Sequence, residues 1–246
     1  MENNFISTSI IDSHSHFLPN MDDGSSSIDE SIEMLEETKR QNINYIVSTS
    51  HFYPNNESPE DFIKRRDESL NKLMSSINTK DIPKIYIGAE VYFYIGICGS
   101  KRVTECTIRG TKYLLLEMPF AKWDKIEVNE VITLMENFGV IPIIAHINRY
   151  FDYGNLKHIK RLQKEGCILQ LNSEYFIDKK SEKKAIKLVK KGLVDLIGSD
   201  MHNTKRRPQT LGKTISIIEK KCGHEYIQRL EYNTNIIYKD AISINW

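Results

Sequence analysis

Short apolar runs alternate with longer amphipathic segments along the whole chain, which is the pattern of an α/β protein. The apolar runs are bounded by turn-forming and polar residues and are nearly continuous, as expected for strands of a parallel sheet that is covered on both faces. Seven strands are predicted, at residues 5–11, 45–50, 84–91, 112–118, 142–146, 167–172 and 195–200.

The segments between these strands carry the signals of helices. The first predicted helix, 27–41, begins with Ser27 and Glu30, whose spacing fits a capping box, and has apolar side chains at helical spacing. The second begins at Ser58, which is followed by a proline and two acidic residues in the first turn. Further helices are predicted at 127–138, 155–165, 181–191 and 209–221.

About seven strand–helix units in 246 residues predict a distorted TIM-like (β/α)7 barrel, one unit short of the full eight. No Gly/Ser-rich linker, low-complexity tract or repeat divides the sequence, so residues 1–246 are predicted to form a single domain. An open, doubly wound sheet is the alternative fold. The first strand is not followed by a glycine-rich dinucleotide loop, which argues against that alternative.

Charge and composition exclude several classes of partner. Lysine and arginine number 34 against 33 aspartate and glutamate residues, so neither nucleic acid nor an anionic membrane is expected to bind. The N-terminal residues do not resemble a signal peptide, and no apolar run is long enough to span a membrane. The four cysteines lie far apart without a CxxC pair, which favours the reducing cytoplasm over a disulfide framework.

Side chains that bind metals occur at the ends of six predicted strands. His14 and His16 lie one residue apart, and strand geometry would point both to the same face. Because the carboxyl ends of parallel strands meet at one face of a barrel, we expect these side chains to converge. With Asp23 from the first loop, the set is His14, His16, Asp23, His51, Glu90, Glu117, His146, Asp200 and His202.

The chemistry of this set indicates a metal centre that binds phosphate. A lone histidine is more often a core residue, but buried carboxylates behind apolar strands need cations. Nitrogen and oxygen ligands without a thiolate suit Mn²⁺, Fe²⁺ or Zn²⁺, and nine ligands suit two or three ions. Three divalent ions would exceed the four carboxylates by two charges, which a phosphate dianion would neutralise. Arg149 and Arg207 lie in loops on the same face and are predicted to bind phosphate oxygens.

Seven motifs, DSHSH, MDDG, STSH, GAEVY, LLLEMP, IIAHINRY and GSDMHN, carry a family resemblance. In order and spacing they resemble the PHP-superfamily protein-tyrosine phosphatases of bacterial capsule and exopolysaccharide operons, the CpsB/CapC family. The resemblance extends from about Ile11 to beyond Pro208 and is weakest in 92–111 and after about 215. It implies a trinuclear, typically manganese-dependent centre that hydrolyses phosphotyrosine. The implied partner is the C-terminal tail of a capsule tyrosine kinase, and the sequence leaves open whether the protein is an oligomer.

The resemblance also implies three groups of ligands. His14, His16, Glu90 and Asp200 would hold the first metal, and Glu90 would bridge to a second that Glu117 and His146 also hold. Asp23, His51 and His202 would form the third set, and Arg149 and Arg207 match the phosphate-site arginines of the family. Family members commonly have a glutamate where this chain has Asn148, a difference that could alter His146 or Arg149.

Three other functions stay open on the sequence. A small-molecule phosphatase such as a histidinol-phosphate phosphatase shares the ligand set of the superfamily. An amidohydrolase also begins with H-x-H in a barrel, but it usually needs a bridging lysine where this chain offers Glu90 and Glu117. A regulatory binding module would keep the metals as scaffold only. A cysteine-dependent phosphatase is excluded, because none of the four cysteines is followed by an arginine six residues later.

Overall fold

The computed structural model describes residues 9–77 and 81–244. The strands in this part of the chain are β1 (Asp12–Ser15), β2 (Tyr45–Ser48), β3 (His51–Phe52), β4 (Lys84–Ile87), β5 (Glu90–Tyr92), β6 (Tyr113–Glu117), β7 (Ile141–Ile144), β8 (Ile168–Asn172) and β9 (Leu196–Gly198). The α-helices are α1 (Ile28–Arg40), α2 (Pro59–Ser76), α3 (Lys125–Phe138), α4 (Leu156–Lys164), α5 (Glu174–Ile177), α6 (Glu182–Lys190), α7 (Leu211–Cys222) and α8 (His224–Tyr238). Short 3-10 helices occupy Ile97–Gly99, Lys101–Cys106 and Ile147–Tyr150.

The strands pair in parallel and form two sheets, ordered β1-β2-β4 and β3-β5-β6-β7-β8-β9. The predicted strand 45–50 ends early, at Ser48 in β2, and the chain leads on into β3, which begins just beyond the predicted range. The predicted strand 84–91 is interrupted, so that β4 leads into β5. Across these interruptions the backbone N–H of Gly88 donates to Ser48 O at 2.9 Å, and that of Glu90 donates to Thr49 O at 3.2 Å. Backbone pairing therefore continues from one sheet to the other.

The first and last strands of the chain lie side by side. The hydroxyl of Ser13 donates to Ile197 O at 2.9 Å, and the backbone N–H of Asp200 donates to His14 O at 2.8 Å. Gly198 permits this approach, because a Cβ at that position would lie 2.5 Å from the Cβ of His14. The predicted α/β class with a curled parallel sheet is confirmed.

Both faces of the sheet are buried, as the apolar strands predict. In β6, Leu114 and Leu116 belong to the large core beneath the helices, whereas Leu115 between them belongs to a second apolar cluster on the opposite face. That second cluster also receives Ile237 and Tyr238 from α8. The C-terminal helix thus covers apolar surface on the inner side of the sheet.

Two sequence-based assignments need correction. The first strand was predicted at 5–11, but residues 9–11 are not in a strand and β1 begins at Asp12, while residues 5–8 lie outside the described part of the chain. The β-branched residues of 5–11 favour a strand locally, but pairing of Asp12 with Ile46 sets the actual register. The second correction concerns helices, since neither the short α5 nor α8 was predicted. Among the described residues, no helix is both long and apolar enough to cross a membrane.

Candidate metal centre

The structure places all nine predicted ligand side chains near the carboxyl ends of the parallel strands. His14 lies within β1 and His16 just after it, Glu90 lies just after the end of β4, and Glu117 ends β6. Seven of the nine are buried, His51 is partly exposed and Asp23 is exposed. Their function as metal ligands stays a prediction, but the expected convergence of the side chains is seen.

Glu90 lies at the middle of the cluster. Its Oε2 is 3.1 Å from His14 Nε2, 3.3 Å from His16 Nε2 and 3.1 Å from His51 Nδ1. Its Oε1 is 2.9 Å from His146 Nε2. The two oxygens of one carboxylate therefore face different histidines, which is the arrangement that a bridging carboxylate needs.

Three overlapping groups have ligand atoms within 4.8 Å of one another: His16, Asp23, His51 and His202; His14, His16 and Asp200; and His51, Glu90 and Glu117. There are three groups, as many as the ligand sets that the family resemblance implies. Their members differ from those sets, and His16 and His51 each belong to two groups. His146 is outside these groups, although its Nε2 lies 3.2 Å from Glu117 Oε1.

The donor atoms fit divalent cations. Among the described residues, His51 Nδ1, His146 Nδ1 and His202 Nε2 are buried without a hydrogen-bond partner. His51 Nδ1 and His202 Nε2 nevertheless lie 3.1 and 3.3 Å from oxygens of Glu90 and Asp23. Buried nitrogens that face carboxylates without hydrogen-bond geometry are suited to share a cation with them.

Protons balance the carboxylates when no cation is bound. Burial opposes protonation of His16, but Asp22 and Glu90 outweigh it and raise the pKa of His16 to about 10. Burial likewise opposes ionisation of Glu90, yet His14 and His51 hold the pKa of Glu90 well below its usual range. Burial and His16 lower the pKa of His202 to about 3, so its imidazole is neutral. A bound cation would displace protons from this network.

The two predicted phosphate-site arginines meet at Asp200. Arg149 donates a hydrogen bond to Oδ2 of Asp200, Arg207 forms an ion pair with the same oxygen at 2.6 Å, and Asn172 Nδ2 donates to it at 2.8 Å. About 30% of each arginine side chain stays exposed, 29% for Arg149 and 30% for Arg207. Each guanidinium group is therefore anchored on the cluster while part of it faces solvent.

Two of the predicted ligands have unusual backbone conformations. His146, which follows β7, has φ 30°, and Asp200, which follows β9, has φ 53°. Residues other than glycine rarely adopt this left-handed backbone conformation, because it costs about 1–3 kcal/mol per residue. These conformations turn the chain sharply after β7 and β9, at residues whose side chains are predicted ligands.

Asp22 is a site residue that the predicted ligand set does not include. Its Oδ2 accepts hydrogen bonds from His16 Nδ1 at 2.9 Å and from the backbone N–H of His51 at 2.8 Å. The loop can fold this closely because Gly24 has no side chain: a Cβ there would lie 2.2 Å from His16 O. The sequence signal was the first carboxylate of MDDG, which directly precedes the predicted ligand Asp23.

Two amides on β8 were also missed. Gln170 Oε1 accepts from the backbone N–H of His146 at 2.6 Å and lies 3.4 Å from His14 Nδ1, while Asn172 contacts Asp200. Their alternation in CILQLN places both on one face of the strand, a signal that a search for ionisable groups overlooks. Asn148, at the position of the usual family glutamate, accepts a hydrogen bond from the backbone N–H of Asn172 at 3.2 Å.

Comparisons with known proteins agree with this geometry. A family model described as "Capsular polysaccharide synthesis, CpsB/CapC" matches residues 10–238. The tyrosine-protein phosphatase CpsB of Streptococcus agalactiae serotype III (strain NEM316) is 31% identical over 233 residues, which cover 90% of this chain and 94% of that protein.

Solved structures also resemble this chain. One from a study of YwqE from Bacillus subtilis and CpsB from Streptococcus pneumoniae, described there as unique metal-dependent tyrosine phosphatases, matches with a TM-score of 0.81 and 26% identity, over 96% of this chain and 97% of that one. A histidinol phosphate phosphatase from Lactococcus lactis shares the fold, with a TM-score of 0.53 and 15% identity over 87% of this chain and 94% of that one. From its sequence match over nearly its whole length, this chain belongs to the capsular polysaccharide synthesis family CpsB/CapC.

Proposed function

We propose that this chain is a metal-dependent protein-tyrosine phosphatase, a phosphoric monoester hydrolase that transfers the phosphoryl group of phosphotyrosine to water. The observation that carries the proposal is the contact of Arg149 and Arg207 with one oxygen of Asp200. Because Asp200 also lies 3.4 Å from His14 Nε2, a phosphate at the histidine–carboxylate cluster would meet both guanidinium groups. The named activities of the relatives support the same function.

The nine clustered side chains would hold two or three divalent ions, with Mn²⁺ as the expected metal and iron or zinc as alternatives. The candidate groups and the metal dependence named for the solved relatives support this assignment. Bound there, such ions would neutralise phosphate oxygens and make a water molecule more acidic. Glu90 would bridge two of the positions, since its two oxygens face different histidines.

The chain's own residues would then bind and orient the substrate. Arg149 and Arg207 would each pair with phosphate oxygens and stabilise the charge that develops on the transferring group. The leaving phenolate has a parent pKa near 10, so protonation by a general acid is less necessary than for a serine alkoxide. Burial and His16 lower the pKa of His202, so its imidazole is neutral. A neutral imidazole can bind a metal but cannot readily act as a general acid.

The proposed substrate is a phosphotyrosine-bearing protein, the C-terminal tail of a capsule tyrosine kinase. The family description, capsular polysaccharide synthesis, supports this partner. A disordered tail can enter a site that a folded surface cannot reach. We place this reaction in the cytoplasm, which agrees with the four free cysteines.

We also propose that the sheet is a distorted (β/α)7 barrel in one domain. In support, the segment that follows β9 bonds to the end of β1, where Asp200 N–H donates to His14 O and His16 N–H donates to Met201 O, and pairing continues through the interrupted strands. One side chain from each of β2, β4, β6, β7 and β9 enters the inner apolar cluster, namely Val47, Tyr86, Leu115, Ile143 and Leu196.

The test is a kinetic comparison on one metal-loaded preparation. Phosphotyrosyl and phosphoseryl forms of the same peptide are compared with histidinol phosphate, beside metal analysis. We expect preference for the phosphotyrosyl peptide, little dependence on flanking residues, and loss of activity with thorough chelation. If histidinol phosphate were preferred by a wide margin, the protein would be a small-molecule phosphatase. If no phosphate ester were hydrolysed with the metals bound, it would be a binding module.

A further inference from the structure

Two exposed aromatic side chains border the candidate metal centre. Tyr53 stacks on His51 with ring centroids 5.2 Å apart and planes 28° apart, and Phe120 stacks on His146 at 5.8 Å and 25°. Despite these contacts, Tyr53 is 39% exposed and Phe120 is 42% exposed. Each ring therefore packs against a predicted ligand and still offers surface to the solvent.

The two rings stand beside the same carboxylate. His51 and His146 contact opposite oxygens of Glu90, at 3.1 and 2.9 Å. The rings stacked on these two histidines thus flank the Glu90 part of the cluster. The arginines lie at Asp200 instead, so guanidinium groups and aromatic rings occupy different parts of the rim.

The rings are held in place by their surroundings. Phe120 also stacks on Tyr150 at 5.8 Å, and Tyr150 is fully buried and accepts a hydrogen bond from the backbone N–H of Met118. The ring of Tyr92 lies 5.8 Å from that of Tyr53. Fixed rings lose little freedom when they bind a ligand, which favours recognition by them.

We propose that Tyr53 and Phe120 contact the phenyl ring of the substrate's phosphotyrosine and so make the site selective for aryl over alkyl phosphate esters. This inference rests on the proposed function. Once the phosphoryl group lies between the cluster and the arginines, the phenyl ring is the next part of the substrate to reach the rim. Two aromatic rings in contact prefer a centroid separation of about 4.5–7 Å. Phosphoserine has only a methylene group at this place and therefore cannot make such a contact.

The experiment measures binding of two phosphonates, because they have no leaving group that could affect the comparison. Benzylphosphonate resembles phenyl phosphate, and ethylphosphonate has the same phosphonate group without the phenyl ring. Their dissociation constants are measured by calorimetry on metal-loaded wild type, Tyr53→Leu, Phe120→Leu and Tyr53→Phe. Tyr232→Leu is the matched control, since Tyr232 is an exposed aromatic residue on α8.

We expect wild type to prefer benzylphosphonate, and each leucine variant to lose about three- to tenfold of that preference. Ethylphosphonate binding and metal content should not change, and Tyr53→Phe and Tyr232→Leu should behave as wild type. Equal weakening of both phosphonates in the leucine variants would show that the rings only position the histidines, and unchanged binding of both would show that the rings do not contact the ligand. Either result overturns the inference. If wild type instead failed to hydrolyse phosphotyrosyl peptide, the proposed function itself would be wrong.

Discussion

Asp22 accepts a hydrogen bond from His16 Nδ1 at 2.9 Å, while the other nitrogen of that imidazole, Nε2, lies 3.3 Å from Glu90. One ring thus has a carboxylate at each end, and Asp22 fixes which nitrogen faces the cluster. A partner of this kind orients a ligating histidine and makes it more basic.

We expect Asp22→Asn to lower metal affinity about 10- to 100-fold. The amide keeps the shape but loses the charge that supports His16. Metal affinity is measured by titration of the metal-free protein, with Asp29→Asn on the exposed start of α1 as the matched control. Unchanged affinity in Asp22→Asn would contradict this function for Asp22.

Glu90→Gln should reduce turnover by several orders of magnitude and leave the fold intact. The substitution removes a negative charge that four histidines contact, with little change in volume. Steady-state kinetics, circular dichroism and metal analysis are the measurements, with Glu33→Gln on α1 as control. Near-normal turnover with full metal content would show that Glu90 is not a bridge.

Arg149→Ala and Arg207→Ala should each lower kcat/KM by about 10²- to 10³-fold without removing metal. Each substitution leaves Asp200 with one arginine partner, so the carboxylate keeps one of its two guanidinium contacts. Arg206→Ala, an exposed neighbour, serves as the control. If the metal were lost together with activity, the arginines would support the cluster rather than the phosphate.

Metal affinity should rise with pH between about pH 6 and pH 8. Burial alone would lower the pKa of His16, but Asp22 and Glu90 raise it to about 10, so the metal-free imidazole is protonated and must release its proton to bind a cation. Calorimetry in two buffers of different ionisation enthalpy measures that release. For the same reason, His16 stabilises the metal-free fold fully below about pH 6.5, and this contribution disappears as the pH approaches 10. Affinity independent of pH would oppose this assignment.

Replacement of all four cysteines by serine or alanine should leave most phosphatase activity in place. Cys106 and Cys167 are buried, and burial raises the pKa of both thiols to about 12, so neither is a thiolate at neutral pH. Some stability should be lost, because buried thiols pack as small apolar groups. A folded variant without turnover would indicate a covalent cysteine mechanism instead.

The clustering of the site residues was predictable because it follows from topology. Glu117 and His146 lie far apart in sequence, but parallel strands bring their carboxyl ends to one face. Gln170 and Asn172 were not predicted, since an uncharged amide in a strand has no signature until its partners His146 and Asp200 are in place. The sharing of His16 between groups depends on distances that spacing alone cannot supply.

The fold was predictable where local and long-range preferences agree. Helix α1 shows half of the predicted capping box. Ser27 Oγ accepts from the backbone N–H of Glu30 at 3.1 Å, but the Glu30 carboxylate accepts from the backbone N–H of Ser26 at 2.8 Å instead of that of Ser27. Local and long-range preferences disagree at β1. The strand there is the polar segment DSHS because this segment pairs with β2, although the preceding residues have a higher strand propensity. Helix α8 belongs to the region where the family resemblance is weakest. Its Ile227 and Leu230 pack into the large core and its Ile237 and Tyr238 into the inner cluster, so its packing depends on long-range contacts.

The backbone is left-handed at His146 and Asp200, so the residue that folding favours at these positions differs from the residue that the predicted site needs. A glycine at either position would adopt the same conformation freely, so folding alone would favour glycine there. The chain keeps an imidazole and a carboxylate instead and retains the strain. Selection for thermal stability alone should therefore remove these two side chains early. A library screened for folding and another screened for turnover should diverge first at these two strand ends.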